Sequence, residues 1–335
     1  MAFRQAGRKD EFGIFLSAFL PLPPRAAFLR SVTRESGKQL LKGVSRSFYL
    51  SLRLLPAPMR PAASLGYLLA RTSDTLADTA AVPVEARLLC LDWFDCSLAG
   101  EEDVPRWPLS VLNAVADPRE RRLLEESRDL FSWLDQLPAA EAALIREVVG
   151  IIISGQRLDL ERFLNAESWN PIALKNAEEL DDYTWRVAGC VGAFWTKLGF
   201  LTMDGKFSKS PQQEMVDLGI SYGKGLQLVN ILRDLPADLQ QGRCYLPLAD
   251  AHDTQLLLDE HHRWLERALE RVGDGFQYAT NLRSRKLRAA SVLPAMIAKD
   301  TLEKMRGVDW ETLRGGIKVS RASVYASLLK AFLTI

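Results

Sequence analysis

Histidine is almost missing from this chain: His252, His261 and His262 are the only 3 among 335 residues, and all lie in one late segment. A histidine-built metal site or a Ser-His-Asp arrangement is therefore not expected. The four cysteines, Cys90, Cys96, Cys190 and Cys244, lack C-x-x-C spacing, which argues against a zinc cage and for reduced, packed thiols in a cytoplasmic protein. Excess charge of either sign is also absent, with 43 Lys and Arg against 42 Asp and Glu. No global field recruits nucleic acid or an anionic membrane, so any partner is recognised locally. No G-x-G-x-x-G follows a strand, no phosphate-loop signature occurs, and no alternating pattern of strand length recurs, which excludes a Rossmann unit and a Walker loop. The apolar run over 12–20 stops at Pro21, well short of the roughly 20 residues that span a bilayer. It reads as an arm over 1–30 packed on the body. No solenoid repeat or low-complexity tract is visible.

What is present is apolar mass with acids set into it. At 47% hydrophobic residues over 335 positions, the chain buries a large core. In Tyr67-Leu-Leu-Ala-Arg71-Thr-Ser-Asp74-Thr-Leu-Ala-Asp78 the residues Tyr67, Arg71, Asp74 and Asp78 fall at i, i+4, i+7 and i+11. On a helix they share one stripe: a phenol, a guanidinium and two carboxylates. Two carboxylates four apart on a buried helix repel each other and lose hydration unless a cation sits between them. Carboxylate oxygens suit Mg2+, which takes one or two of them and completes its shell with water and substrate phosphates; Mn2+ serves the same argument. One D-x-x-x-D alone is a weak signal, since acidic pairs on solvated helix faces are common. The device recurs, however, in Gln227-Leu-Val-Asn230-Ile-Leu-Arg233-Asp234-Leu-Pro-Ala-Asp238. Two such helices facing each other across a bundle make one acidic cleft able to hold several ions.

Around these helices lie further candidates. Ser45-Arg46-Ser47-Phe48-Tyr49 offers hydroxyls and a guanidinium to an anion at a helix start, or is a serine-capped helix with a surface arginine. The segment 139–163 is strongly apolar and then carries Gly155, Gln156 and Asp159; Asp159 is weighed there as a structural acid ahead of a ligand. Gly189 and Gly192 form a small-residue strip on a helix that also bears Tyr183. Interior glycines cost roughly 1 kcal/mol each against alanine, so something bulky approaches that face, a helix before an apolar ligand. Pro236 sits inside the second acidic motif and is expected to kink or end its helix, which weakens the one-face argument for Asp238. The turn at Gly242 leads into Arg243 and Tyr245, within reach of the cleft.

Taken together, Ser45-Arg-Ser-Phe48, Asp74-Thr-Leu-Ala-Asp78, Tyr183 with Val187-Ala-Gly189, Asn230-Ile-Leu-Arg-Asp234 and Gly242-Arg-Cys-Tyr-Leu-Pro247 resemble the squalene and phytoene synthase family of head-to-head prenyl transferases. The Asp-Thr-Leu-x-Asp form of the first acidic motif, with Arg71 ahead of it, is more similar to the squalene synthases. The resemblance implies an all-α, single-domain helical bundle of isoprenoid-synthase type over 31–335, with a central cavity for two prenyl diphosphates. It implies Mg2+ held by Asp74, Asp78, Asp234 and Asp238, and diphosphate contacted by Ser45, Arg46, Gln227, Asn230, Arg233, Arg243 and Tyr245. Arg71 would also meet diphosphate, while Tyr67, Tyr183 and Phe48 would line the reacting centre. The implied reaction joins two farnesyl diphosphates through presqualene diphosphate to squalene, with NADPH as reductant. Products of the same chemistry without reduction are presqualene diphosphate, dehydrosqualene and phytoene. A non-catalytic helical binding protein, its acidic pairs merely solvated, is the alternative of another class. No obligate protein partner is expected, and contact with membrane is expected to be peripheral, through a lipid substrate or product.

Overall fold

The computed structural model describes residues 40, 41, 43, 44, 52, 54–103 and 106–317. The arm over 1–30, and Ser45, Arg46 and Phe48, lie outside the described residues. The described chain is built almost wholly of helices: α1 (Arg60–Asp78), α2 (Val84–Ala99), α3 (Leu109–Ala114), α4 (Pro118–Glu125), α5 (Ser127–Asp135), α6 (Ala139–Arg162), α7 (Ala177–Thr184), α8 (Cys190–Thr202), α9 (Gln212–Leu239), α10 (Thr254–Asn281), α11 (Arg285–Met305) and α12 (Trp310–Arg314). This is the expected all-α class.

Local chemistry marks many of the boundaries. Asp117, Asn176, Asp253, Ser284 and Asp309 cap α4, α7, α10, α11 and α12, each accepting a hydrogen bond from a first-turn amide, which satisfies donors the helix cannot pair internally. Gly100 closes α2 in the left-handed conformation at φ 80°, a geometry that favours glycine.

Two apolar clusters divide the interior. One gathers side chains of α1, α2, α5, α6 and α8, among them Leu65, Leu69, Phe94, Ile145 and Phe131. The other gathers α9, α10 and α11 around Leu232, Leu235, Leu265 and Leu302. The glycine strip meets a helix, not a ligand. A Cβ on Gly192 would lie 1.9 Å from the Gly219 carbonyl oxygen, and one on Gly223 would lie 2.4 Å from that of Ala188. Backbone therefore meets backbone where α8 and the turn before it cross α9.

Three features depart from the sequence reading. A short parallel strand pair exists, β1 (Ile172–Leu174) against β2 (Arg243–Pro247); at three and five residues these runs are too short to show alternation. Pro236 does not end its helix, since α9 runs through it to Leu239. A proline removes the hydrogen bond to the carbonyl four residues back, here that of Leu232, and the fully buried His261 of α10 approaches that carbonyl, although neither ring nitrogen completes a well-formed hydrogen bond. Finally, between α7 and α8 the chain makes one π-helical turn, Trp185–Gly189. Such turns insert an extra residue and re-phase the helix faces on either side. Tyr183 thereby faces the cluster around α9 while Phe194 and Leu198 face the other.

Candidate active site

Helix α1 presents its stripe as its period requires. Arg71 pairs with Glu120 of α4 and lies 3.8 Å from Asp74. Asp74 also accepts a 2.5 Å hydrogen bond from Gln156 Nε2 on α6. Tyr67 donates to the Val44 carbonyl at 3.2 Å. Asp78, the last residue of the helix, is exposed.

From the facing side, α9 contributes Arg233, whose Nε and Nη2 clasp Asp234 at 2.8 and 2.6 Å. The exposed Asn230 donates to Gln227 Oε1 at 3.4 Å. Because Pro236 is accommodated, Asp234 and Asp238 stay one turn apart on the same helix. Strand β2 then brings Arg243 and Tyr245 in beside Asp159 of α6. The Tyr245 hydroxyl donates to Asp159 Oδ2 at 2.9 Å, and Arg243 Nη1 stands 3.6 Å from the same oxygen. Gly242 sets up this delivery at φ 77°, where a Cβ would strike the Glu167 amide at 2.4 Å, so only glycine fits the turn.

Charges of both acidic motifs act on the same two side chains, Arg243 and Tyr183. Asp78 is open to solvent at the helix end yet closely surrounded by protein on its inner side, and this partial desolvation raises its carboxyl while the Arg71 and Arg243 guanidinia oppose the shift. The Asp238 carboxyl is pushed up to about 7 by burial and by Asp234, against the pull of Arg243. Asp74 reaches about 6 through burial and its neighbour Asp78; Asp159 reaches about 6 through burial, with Arg243 and Tyr245 opposing. The buried Tyr183 phenol is raised by burial and then by the charges of Asp159, Asp238 and Asp78 together. One arginine from β2 and one tyrosine from α7 thus lie within the fields of both motifs. Asp74 keeps 41% side-chain exposure despite this crowding, as expected for a group on a cleft wall that water reaches while protein surrounds it.

Asp159 lies beside these residues, and its contacts with Tyr245 and Arg243 are those of the structural acid expected there. Gln156, Glu120 and Arg87 were not foreseen as members. Arg87 is buried on α2, donates to the Ala77 carbonyl at 2.7 Å and feels both Asp78 and Arg243. The spacing of Gln156 and Asp159, three apart at the end of an apolar helix, was the available signal; Glu120 and Arg87 carry none.

No three His, Cys, Asp or Glu residues gather about one point as a metal cage among the described residues. The four expected aspartates are two pairs on two helices, α1 and α9, not a closed coordination sphere. The donor set nevertheless fits a hard cation that takes one or two carboxylates at a time. The carboxylates raise one another's affinity for protons, and Asp159 Oδ1 is buried without a partner. Both features describe negative charge short of a counter-ion.

Comparison with solved structures defines the class. The structure of TcSQS with the ligand BPH1237 superposes with a TM-score of 0.71 at 23% identity, over 89% of this chain and 86% of that one. A dehydrosqualene synthase with bound ligand gives 0.57 at 20% identity, over 89% and 94%. The fold is that of the helical isoprenoid synthases. At the level of sequence, the chain belongs to the squalene/phytoene synthase family, whose profile matches residues 41–323.

Its relatives differ in activity. The bifunctional lycopene cyclase/phytoene synthase of Phaeosphaeria nodorum is 32% identical over 66% of this chain and 35% of its own length. The squalene synthase of Saccharomyces cerevisiae is 25% identical over 88% and 66%. The presqualene diphosphate synthase of Zymomonas mobilis is 26% identical over 95% and 99%. The chain thus spans about a third of the bifunctional relative and almost all of the last. Family members are prenyltransferases that bind prenyl diphosphates in divalent-metal-dependent chemistry.

Proposed function

We propose that this protein condenses two molecules of farnesyl diphosphate head to head, through presqualene diphosphate to squalene. The observation that carries this reading is the family match over residues 41–323, supported by two aspartate pairs on α1 and α9 and by Arg243 and Tyr245 set against Asp159.

Mg2+, bound by Asp74 and Asp78 on one wall and Asp234 and Asp238 on the other, would supply Lewis-acid neutralisation of the departing diphosphate. Arg71, steadied by Glu120, and Arg243, between Asp78 and Asp159, offer guanidinium forks to phosphate oxygens. Arg233, which clasps Asp234, would be free to meet diphosphate if Asp234 held a cation. Ser45 and Arg46 are proposed to complete the anion site, and Gln227 and Asn230 to line it.

Leaving-group departure creates an allylic cation, which requires walls that exclude water and present π faces. Tyr183, Tyr245 and Phe163 provide them, the first two stacked with centroids 4.8 Å apart and the last edge-on to Tyr245 at 5.2 Å. Tyr67 and Phe48 are proposed to close the same wall. Reduction to squalene needs NADPH as co-substrate, and among the described residues no set of side chains marks a nicotinamide site.

A second reading ends at presqualene diphosphate, favoured by the end-to-end match to the Zymomonas mobilis enzyme. Incubation of the purified chain with farnesyl diphosphate and Mg2+, with and without NADPH, separates them. Squalene formed only when NADPH is added supports the first reading. Presqualene diphosphate under both conditions supports the second, and dehydrosqualene in its absence, or phytoene when geranylgeranyl diphosphate is offered in place of farnesyl diphosphate, moves the assignment to the carotenoid branch. An inert chain whose melting temperature ignores Mg2+ with inorganic diphosphate would instead be a non-catalytic binding protein. A cytoplasmic location with peripheral membrane contact is proposed on the chemistry of the lipid substrate and product; among the described residues no helix is long and apolar enough to cross a membrane.

A further inference from the structure

Resting on that reading, we propose that Gln156 of α6 is a positioning residue for the metal-binding carboxylate of Asp74: it ties down one oxygen, Oδ1, and leaves Oδ2 to a divalent cation. Gln156 belongs to neither acidic motif and stands 82 residues beyond Asp74 in the chain.

The contact is direct. Gln156 Nε2 donates to Asp74 Oδ1 at 2.5 Å. An ionised carboxylate only accepts hydrogen bonds, so the amide nitrogen, not the amide oxygen, must face Asp74. The other carboxylate oxygen, Oδ2, looks toward Arg71, whose Nη1 stands 3.8 Å away, beyond hydrogen-bond reach. The donor also has a firm footing. Gln156 is only 8% exposed, and at the preceding Gly155 a Cβ would lie 2.8 Å from that of Arg186, so α6 is pressed against the π-helical turn. Asp74 itself keeps 41% side-chain exposure. A fixed donor thus holds a carboxylate that solvent, and with it a cation, can reach.

The other half of the amide separates this role from a structural one. Gln156 Oε1 is buried with no hydrogen-bond partner, which costs stability. Helices α1 and α6 do not depend on a polar tie, because Leu65, Leu69, Ile145 and Ile152 join them in one apolar cluster. Methionine, of similar length and without an amide, would suit that packing better. What methionine cannot do is donate to Asp74. Groups that hydrogen-bond to a metal ligand fix its orientation, and their loss costs roughly 10–100-fold in metal affinity.

The test titrates Mn2+, an EPR-visible stand-in for Mg2+, into the metal-free chain with saturating inorganic diphosphate, against a protein-free blank. Gln156→Met should weaken Mn2+ binding by about tenfold or more, while its metal-free melting temperature stays at or above that of wild type. In an Asp74→Asn background the same substitution should change Mn2+ affinity by less than about twofold, because Gln156 acts through Asp74. Turnover of farnesyl diphosphate by Gln156→Met should need more Mg2+ for half-maximal rate, with kcat largely recovered at saturation. An equal loss of Mn2+ affinity with and without Asp74 would overturn the proposal. So would unchanged affinity with a lowered melting temperature, which would leave Gln156 a structural residue. Gln156→Asn keeps the amide but is one methylene too short to reach Oδ1; it should weaken Mn2+ binding alike, and it carries the test if the methionine variant does not fold. A wild-type chain that binds no Mn2+ overturns the metal assignment of the proposed function and this proposal with it, whereas a Gln156→Met chain that binds as tightly as wild type overturns this proposal alone.

Discussion

Gly192→Ala should damage this protein by more than its size suggests, and Gly273→Ala should do the reverse. A Cβ at Gly192 would lie 1.9 Å from the Gly219 carbonyl oxygen and 2.4 Å from its carbon. Carbon and oxygen in contact need roughly 3.3 Å, so α8 and α9 must separate by more than an ångström, and the obstacle is backbone that no rotamer change can move. Overpacking of this kind costs about 1–3 kcal/mol or more. Alanine recovers up to about 1 kcal/mol of helix propensity, leaving a net loss of about 2 kcal/mol. Gly273, inside α10 with nothing within 4 Å of its would-be Cβ, has only the propensity gain, about 0.5–1 kcal/mol. Urea denaturation of both variants reads the difference as opposite shifts in midpoint at constant slope. Because the same crossing sets Tyr183 against α9, kcat should fall in Gly192→Ala and hold in Gly273→Ala. A Gly192→Ala protein as stable as wild type would refute the close crossing, and with it the registry of the two walls.

With metal removed by chelator, Asp238→Asn should stabilise the protein at pH 8 while abolishing turnover. Its folded-state pKa is raised to about 7, so the ionised carboxylate opposes folding above that pH and the penalty fades as pH falls toward the unfolded value; after allowance for solvent screening the gain is about 2 kcal/mol at pH 8 and near zero at pH 4, read by denaturation at both pH values. His261 acts in the opposite sense. Burial lowers its pKa to about 4, so stability is lost as pH falls from about 6.5 to 4, by up to about 3 kcal/mol, and His261→Phe should flatten that limb of the pH–stability curve. Mg2+ with inorganic diphosphate should raise the melting temperature of wild type, by an amount corresponding to about 2.7 kcal/mol at a hundredfold excess over the dissociation constant, and should do so far less in Asp74→Asn. Glu120→Gln should raise KM more than it lowers kcat, because it frees Arg71 without removing it; unchanged kinetics would show that Arg71 needs no support.

The acidic motifs were legible because a helix is a local object. Spacing of 3.6 residues per turn puts Tyr67, Arg71, Asp74 and Asp78 on one stripe whatever surrounds them, and the repetition of the device over Asn230, Arg233, Asp234 and Asp238 pointed to a shared cleft. The all-α class followed from the same periodicity and from the missing strand patterns. Pro236 was expected to kink or end its helix, and α9 continues three residues past it to Leu239: a proline near a helix end sacrifices one hydrogen bond, and the neighbouring α10 supplies a buried side chain at the carbonyl it leaves open.

Other members of the site have no local signature. Asp159 is a single acid at the end of an apolar helix, and its meaning comes from Tyr245, 86 residues away in sequence. Glu120 and Arg87 look like any surface charges until α4 and α2 fold against α1. Sequence by itself determined which faces carry charge, since that follows from residue type and helical period, and it is the ground for proposing a cation between them. Only the tertiary structure decided which oxygen each arginine and tyrosine meets, because hydrogen bonds and charge interactions act over a few ångströms and depend on how separate helices come to rest against one another.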